Sequence, residues 1–155
     1  MIKPRKKLPQ FDFPIKINLG CGPKPIEGYI GLDMKNSGQE IVWDIMHGIP
    51  LPDNSVTEFV SHHFIEHFTF PELALIFEEI WRTGIDKCKI YSYVPCKSSE
   101  RAYRPPHKSF WDSKVVRGYF AGFVDEKHNP TNQFTVLSTT EKPDGMLSFV
   151  MQVNK

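Results

Sequence analysis

Ile15-Lys-Ile-Asn-Leu-Gly-Cys-Gly22, followed by Tyr29-Ile-Gly-Leu-Asp33, decides the fold. The first stretch reads as a short, mostly buried strand running straight into a glycine turn. The second reads as another such strand, ending on an acid. Gly20 and Gly22 let the backbone turn sharply and approach a ligand with no side chain in the way. Asp33 stands where an acid accepts hydrogen bonds from the ribose hydroxyls of a nucleoside cofactor. Either feature alone is weak; together they are much stronger. Spacing then selects the cofactor. A dinucleotide fingerprint opens a helix with GxGxxG and carries its acid about 20 residues on, whereas Asp33 follows Gly20 by 13 positions. Only residues 23–28 separate the turn from the second strand, and Pro23 and Pro25 are among them. No full helix fits there, so no helix N-terminus is aimed at a pyrophosphate. A nucleoside cofactor without phosphates fits better, and S-adenosylmethionine is the obvious candidate. The short link is in tension with the dozen or more residues usual in a parallel crossover.

Outward from this stretch, residues 40–44 and 56–61 are further candidate strands, the latter introduced by the turn Pro52-Asp-Asn-Ser55. Thr69 and Glu72 have capping-box spacing, and Leu73, Ile76, Phe77 and Ile80 share one helical face, which predicts a helix over 69–82. Residues 89–94 form a fifth strand stopped by Pro95. A charged, proline-bearing loop over 97–108 precedes a short helix that starts near Asp112 or Ser113 and turns Val116, Tyr119 and Phe120 inward. Residues 134–140 and 146–153 flank Lys142-Pro-Asp-Gly145 and predict a terminal antiparallel hairpin. The sum is an α/β fold: a three-layer, Rossmann-like mixed sheet of about seven strands with a C-terminal hairpin. Ligands in such sheets bind outside the carboxyl ends of the strands.

The 155 residues correspond to one domain. Residues 1–14, with Lys3, Arg5, Lys6, Lys7 and three prolines, read as a flexible basic arm, and 15–155 as a single domain. Forty per cent hydrophobic and 24% charged residues exclude wholesale disorder, a coiled coil and a collagen-like chain. No window approaches a membrane span and no apolar stretch follows the basic start, so a cytoplasmic location is expected. Cys21, Cys88 and Cys96 signal neither a disulfide framework nor a four-cysteine zinc site. Nineteen basic against 18 acidic residues leave a net charge of +1, which does not indicate a nucleic-acid partner and does not exclude a local patch.

In order along the chain, residues 17–23, 28–33, Asp44, Leu51-Pro-Asp-Asn-Ser-Val56 and His63-Phe-Ile-Glu-His67 resemble the class I S-adenosylmethionine-dependent methyltransferases. The likeness is to their small bacterial and viral type 11-like branch, which has a shortened loop after the first strand. The resemblance covers roughly residues 15–120. It implies a seven-stranded sheet in which Gly20, Cys21 and Gly22 pass close to the methionine part of the cofactor. Asp33 would hold the ribose, Met34 pack on the adenine and Asp44 meet its amino group, with Asn18, Ile45, Ser61 and His62 also at the cofactor. Ser61 to His63 would line the mouth where the methyl group is transferred. Two features depart from the family. The basic arm replaces the helix before the first strand, and Thr83-Gly-Ile-Asp-Lys-Cys88 stands where a glycine-rich turn is frequent.

His62, His63, Glu66 and His67 form the densest titratable group. If this segment is helical, His63 and His67 share a face. Two histidines at that spacing can hold zinc, but the pattern is not HExxH and no third ligand is evident, so no metal is expected. For His63, a general base for methyl transfer and a structural anchor are equally open; for Glu66 and His67 an anchoring role is favoured. The loop Arg101-Ala-Tyr-Arg-Pro-Pro-His-Lys-Ser-Phe-Trp111 can bind an anionic or aromatic acceptor, or simply be a surface loop pinned by proline. A histidine followed by an aromatic is common there in the resembled family, which makes His107 and Phe110 the preferred lid residues, and His63 and His107 the candidate catalytic pair. Cys96 follows the wrong strand for a cytosine methyltransferase. No Asp/Asn-Pro-Pro-aromatic motif follows the fourth strand, which weakens adenine-N6 DNA methylation. The expected activity is methyl transfer to an unidentified acceptor. The alternative is a non-catalytic S-adenosylmethionine-binding module or the subunit of a complex; the oligomeric state is not legible.

Overall fold

The computed structural model describes residues 8–121 and 133–155. Seven strands follow in the chain: β1 Ile15–Leu19, β2 Ile30–Asp33, β3 Ile41–Val42, β4 Val56–His62, β5 Gly84–Pro95, β6 Phe134–Glu141 and β7 Met146–Val153. They form one sheet in the order β3-β2-β1-β4-β5-β7-β6. β1 to β5 are mutually parallel, and β7 runs antiparallel between β5 and β6. The strand order therefore reverses between β1 and β4, the point where open α/β sheets bind ligands.

Two α-helices are described, α1 Phe70–Thr83 and α2 Ser113–Ala121. The capping box is present in full: the Thr69 hydroxyl accepts from the Glu72 amide, and the Glu72 carboxylate accepts from the Thr69 amide. Leu73, Ile76, Phe77 and Ile80 are buried, as the helical stripe requires. The two helices meet ring to ring. Phe77 lies 5.0 Å from Phe120 and 6.0 Å from Tyr119, and both Phe77 and Phe120 reach Phe134 on β6. Trp111, fully buried, stacks on Phe149 of β7.

Both helices thus cover the same face of the sheet, and the strands record it. Along β7, Leu147, Phe149, Met151 and Val153 are buried while Met146, Ser148, Val150 and Gln152 are only half-buried. The seven-stranded mixed sheet and its hairpin match the expectation. Among the described residues no α-helix lies on the second face, because the links β1–β2 and β2–β3 are too short to contain one. That face instead carries polar ties: Tyr29 donates to Glu58, Lys16 pairs with Glu58, and Lys142 stands over the Tyr93 ring. The β1–β2 pairing holds without a crossover helix, with the Gly20 amide bonded to the Leu32 carbonyl.

Other differences are local. β3 keeps only two of its five expected residues. β5 starts five residues early, at Gly84, so the expected turn over 83–88 is absorbed into an irregular strand start whose pairing with β4 shifts between Val56 and Glu58. Of the arm expected over 1–14, residues 1–7 lie outside the described residues. Within residues 8–14, Leu8 and Phe11 pack against the core and cover hydrophobic surface without forming helix or strand. With Phe13 they wall a cavity of about 730 Å³ against Trp43, Ile49 and Pro50. No described helix is long and apolar enough to cross a membrane.

Candidate functional site

The carboxyl ends of β1 and β2 bring the glycine turn and Asp33 together. One Asp33 oxygen accepts from the Gly22 amide and the other from the Lys35 amide, both at 2.9 Å. The acid therefore clamps the glycine turn to the loop after β2, and each oxygen keeps a lone pair for a further donor. Gly20 and Gly22 have φ of +62° and +51°, a conformation that L side chains rarely adopt. Gly20 also lies beneath an aromatic ring: a Cβ there would fall 2.3 Å from the Phe64 side chain. Asn18 is buried and its amide donates to the Lys24 carbonyl, which ties the loop back to β1. Cys21 is buried too, its thiol pushed up to about 11 by burial and by the Asp33 carboxylate.

Met34 is 66% exposed just beyond Asp33, an apolar side chain set beside the clamp rather than in the core. Asp44 caps a 3-10 turn, Ile45–His47, by accepting from the Met46 amide, and Ile45 is buried beneath it. The Ser61 side chain is turned into the core, within hydrogen-bond distance of Ser92. His62 faces the other way, packed edge to face on Tyr93 at 4.5 Å. Burial lowers its pKa, with Lys142 and Lys24 adding to the effect.

The segment after β4 is not an α-helix. His63 takes a left-handed backbone, φ 51°, and Ile65–His67 is a single 3-10 turn. His63 and His67 therefore do not stack at one α-helical turn. His67 instead meets His107 from the loop after β5, with ring centroids 5.0 Å apart. That loop is held against the 3-10 turn by backbone bonds. The amides of Lys108 and Ser109 both donate to the Glu66 carbonyl, and the Ser109 hydroxyl donates to the Ile65 carbonyl. Phe110 stacks on Tyr103 at 5.1 Å, so this part of the loop is an ordered aromatic pair.

Glu66 sits at the centre. It is 2% exposed, and neither carboxylate oxygen has a hydrogen-bond partner. His63 Nδ1 is 3.3 Å from Oε1 but is not aligned as a hydrogen bond. Burial pushes the Glu66 carboxyl up to about 7. Burial also lowers the pKa of His63 and of His67, and the neighbouring histidines lower each further. Glu66, His67 and His107 each bring one donor atom into a group lying within 4.8 Å. The sequence pointed to His63 and His107 and left Glu66 as an anchor. What it could not display was the loop after β5 closing over residues 65–67 and burying that carboxylate; HxxEH spacing was the available signal.

No protein-family model matches the sequence, and no curated protein matches it. Solved structures do share its fold. A SAM-dependent methyltransferase from Methanosarcina mazei aligns over 95% of both chains with a TM-score of 0.61 and 15% identity. One from Aquifex aeolicus aligns over 90% of this chain and 81% of its own, with a TM-score of 0.60 and 17% identity. The Haemonchus contortus phosphoethanolamine N-methyltransferase 1, solved with phosphoethanolamine and S-adenosylhomocysteine, gives 0.66 at 11% identity over 95% of this chain, which spans 40% of that enzyme. The architecture described above is thus the fold of the class I S-adenosylmethionine-dependent methyltransferases.

Proposed function

We propose that the protein binds S-adenosylmethionine across Gly20, Cys21 and Gly22 and transfers its methyl group to an acceptor held at the carboxyl ends of β4 and β5. The observation that carries this reading is the Asp33 clamp at the strand-order reversal, joined to a β1–β2 link too short for a pyrophosphate-binding helix. In this reading Asp33 holds the ribose, Met34 covers the adenine, and Asp44 and Ile45 line the adenine slot. Asn18 sets the loop that faces the methionine part. His62 stays at the cofactor, and His63 and His107 stand on the acceptor side. Methyl transfer from a sulfonium needs no protein nucleophile; alignment of acceptor and methyl group with water excluded supplies much of the acceleration. The three free cysteines are buried, which suits a reducing compartment, and we place the protein in the cytoplasm. Incubation with methyl-labelled cofactor and cell extract tests the activity. Labelled acceptor together with S-adenosylhomocysteine is expected. Methylthioadenosine would indicate cofactor cleavage instead, and no turnover with tight binding would indicate a binding module.

A further inference from the structure

The geometry points to a divalent transition-metal site formed by Glu66, His67 and His107. Three observations converge. Glu66 is a carboxylate removed from water with neither oxygen hydrogen-bonded, the His63 ring lying 3.3 Å from Oε1 but unaligned, an arrangement that costs free energy unless a cation or donor completes it. His67 and His107 come from different loops, yet their donor atoms and that of Glu66 lie within 4.8 Å of one another. His107 Nδ1 is 3.0 Å from the Ala102 carbonyl. A carbonyl only accepts, so Nδ1 carries the proton and the neutral ring keeps Nε2 as its lone-pair nitrogen. An outer hydrogen bond of this kind is how metal-binding histidines are oriented.

Two imidazoles and one carboxylate suit zinc and the neighbouring divalent ions, and leave at least one coordination position open. Bonds of about 2.0–2.1 Å in a tetrahedron place donors roughly 3.4 Å apart, so donors that now lie within 4.8 Å need to close by at most about 1.4 Å. Lys108 and Ser109 already fix the His107 loop to the Glu66 backbone. If the methyl-transfer reading holds, the open position is where an acceptor's oxygen would bind and lose its proton more readily. The metal site itself does not depend on that reading.

The test is zinc titration of the full chain after chelator treatment, followed by calorimetry, elemental analysis and thermal unfolding, with no cofactor present. One zinc per chain and a zinc-dependent rise in melting temperature are expected. Glu66→Gln and His107→Ala should each weaken zinc binding at least about 10- to 100-fold, the range seen on removing even an outer partner of a ligand. Glu66→Gln removes the buried charge and should fold, which its zinc-free melting temperature verifies; in that variant zinc should no longer raise it. Substoichiometric binding, or folded variants that bind zinc like the parent, would assign the signal to surface histidines and overturn the site. A separate titration with S-adenosylhomocysteine distinguishes the two ideas, since its failure counts against the methyltransferase reading and leaves the zinc result standing.

Discussion

Asp33 and Gly20 carry the cofactor hypothesis at the scale of single residues. Asp33→Ala removes the proposed ribose acceptor and also the clamp on Gly22 and Lys35, so S-adenosylhomocysteine affinity should fall by about 1–3 kcal/mol. Calorimetry on the folded variant measures it. Gly20 combines two constraints, a left-handed backbone and the Phe64 ring above it. Gly20→Ala should cost about 1–2 kcal/mol for the backbone alone, and more for the clash. In a double-mutant cycle with Phe64→Ala, followed by urea unfolding, the clash should appear as coupling of opposite sign to the single losses. Strict additivity would show that Phe64 does not press on this glycine.

At the scale of elements, α1 was legible because its signals are local: Thr69, Glu72 and the apolar stripe lie within one short window. Thr69→Ala should therefore cost about 1 kcal/mol of unfolding free energy, the usual value of a lost N-cap. Trp111→Ala should cost more, about 3–5 kcal/mol, because the ring is fully enclosed and stacks on Phe149. Elements set by pairing were read less well. β3 is an edge strand held over two residues, since the adjoining Glu40 uses its carboxylate to accept from the Gly31 amide. The early start of β5 depends on its contact with Val56 on β4, which no pattern within residues 84–88 announces. The conformation of the histidine segment was left open for the same reason. Its histidines would share a face only in a helix, whereas bonds from the loop some 40 residues later accompany a single 3-10 turn.

For the whole molecule, the seven-stranded mixed sheet and its terminal hairpin followed from the sequence, whereas the strand order comes from the structure. The short β1–β2 link stood in tension with a parallel crossover, yet the two strands do pair in parallel, and the same short loops leave one face without an α-helix among the described residues. The central claim is that the Gly20–Asp33 edge takes a phosphate-free nucleoside cofactor. Isothermal calorimetry of the parent chain against S-adenosylhomocysteine and NAD tests it most directly. One-to-one binding of S-adenosylhomocysteine, weakened by Asp33→Ala, is expected, with no comparable heat from NAD. Tight NAD binding with no response to the sulfur ligand would contradict it.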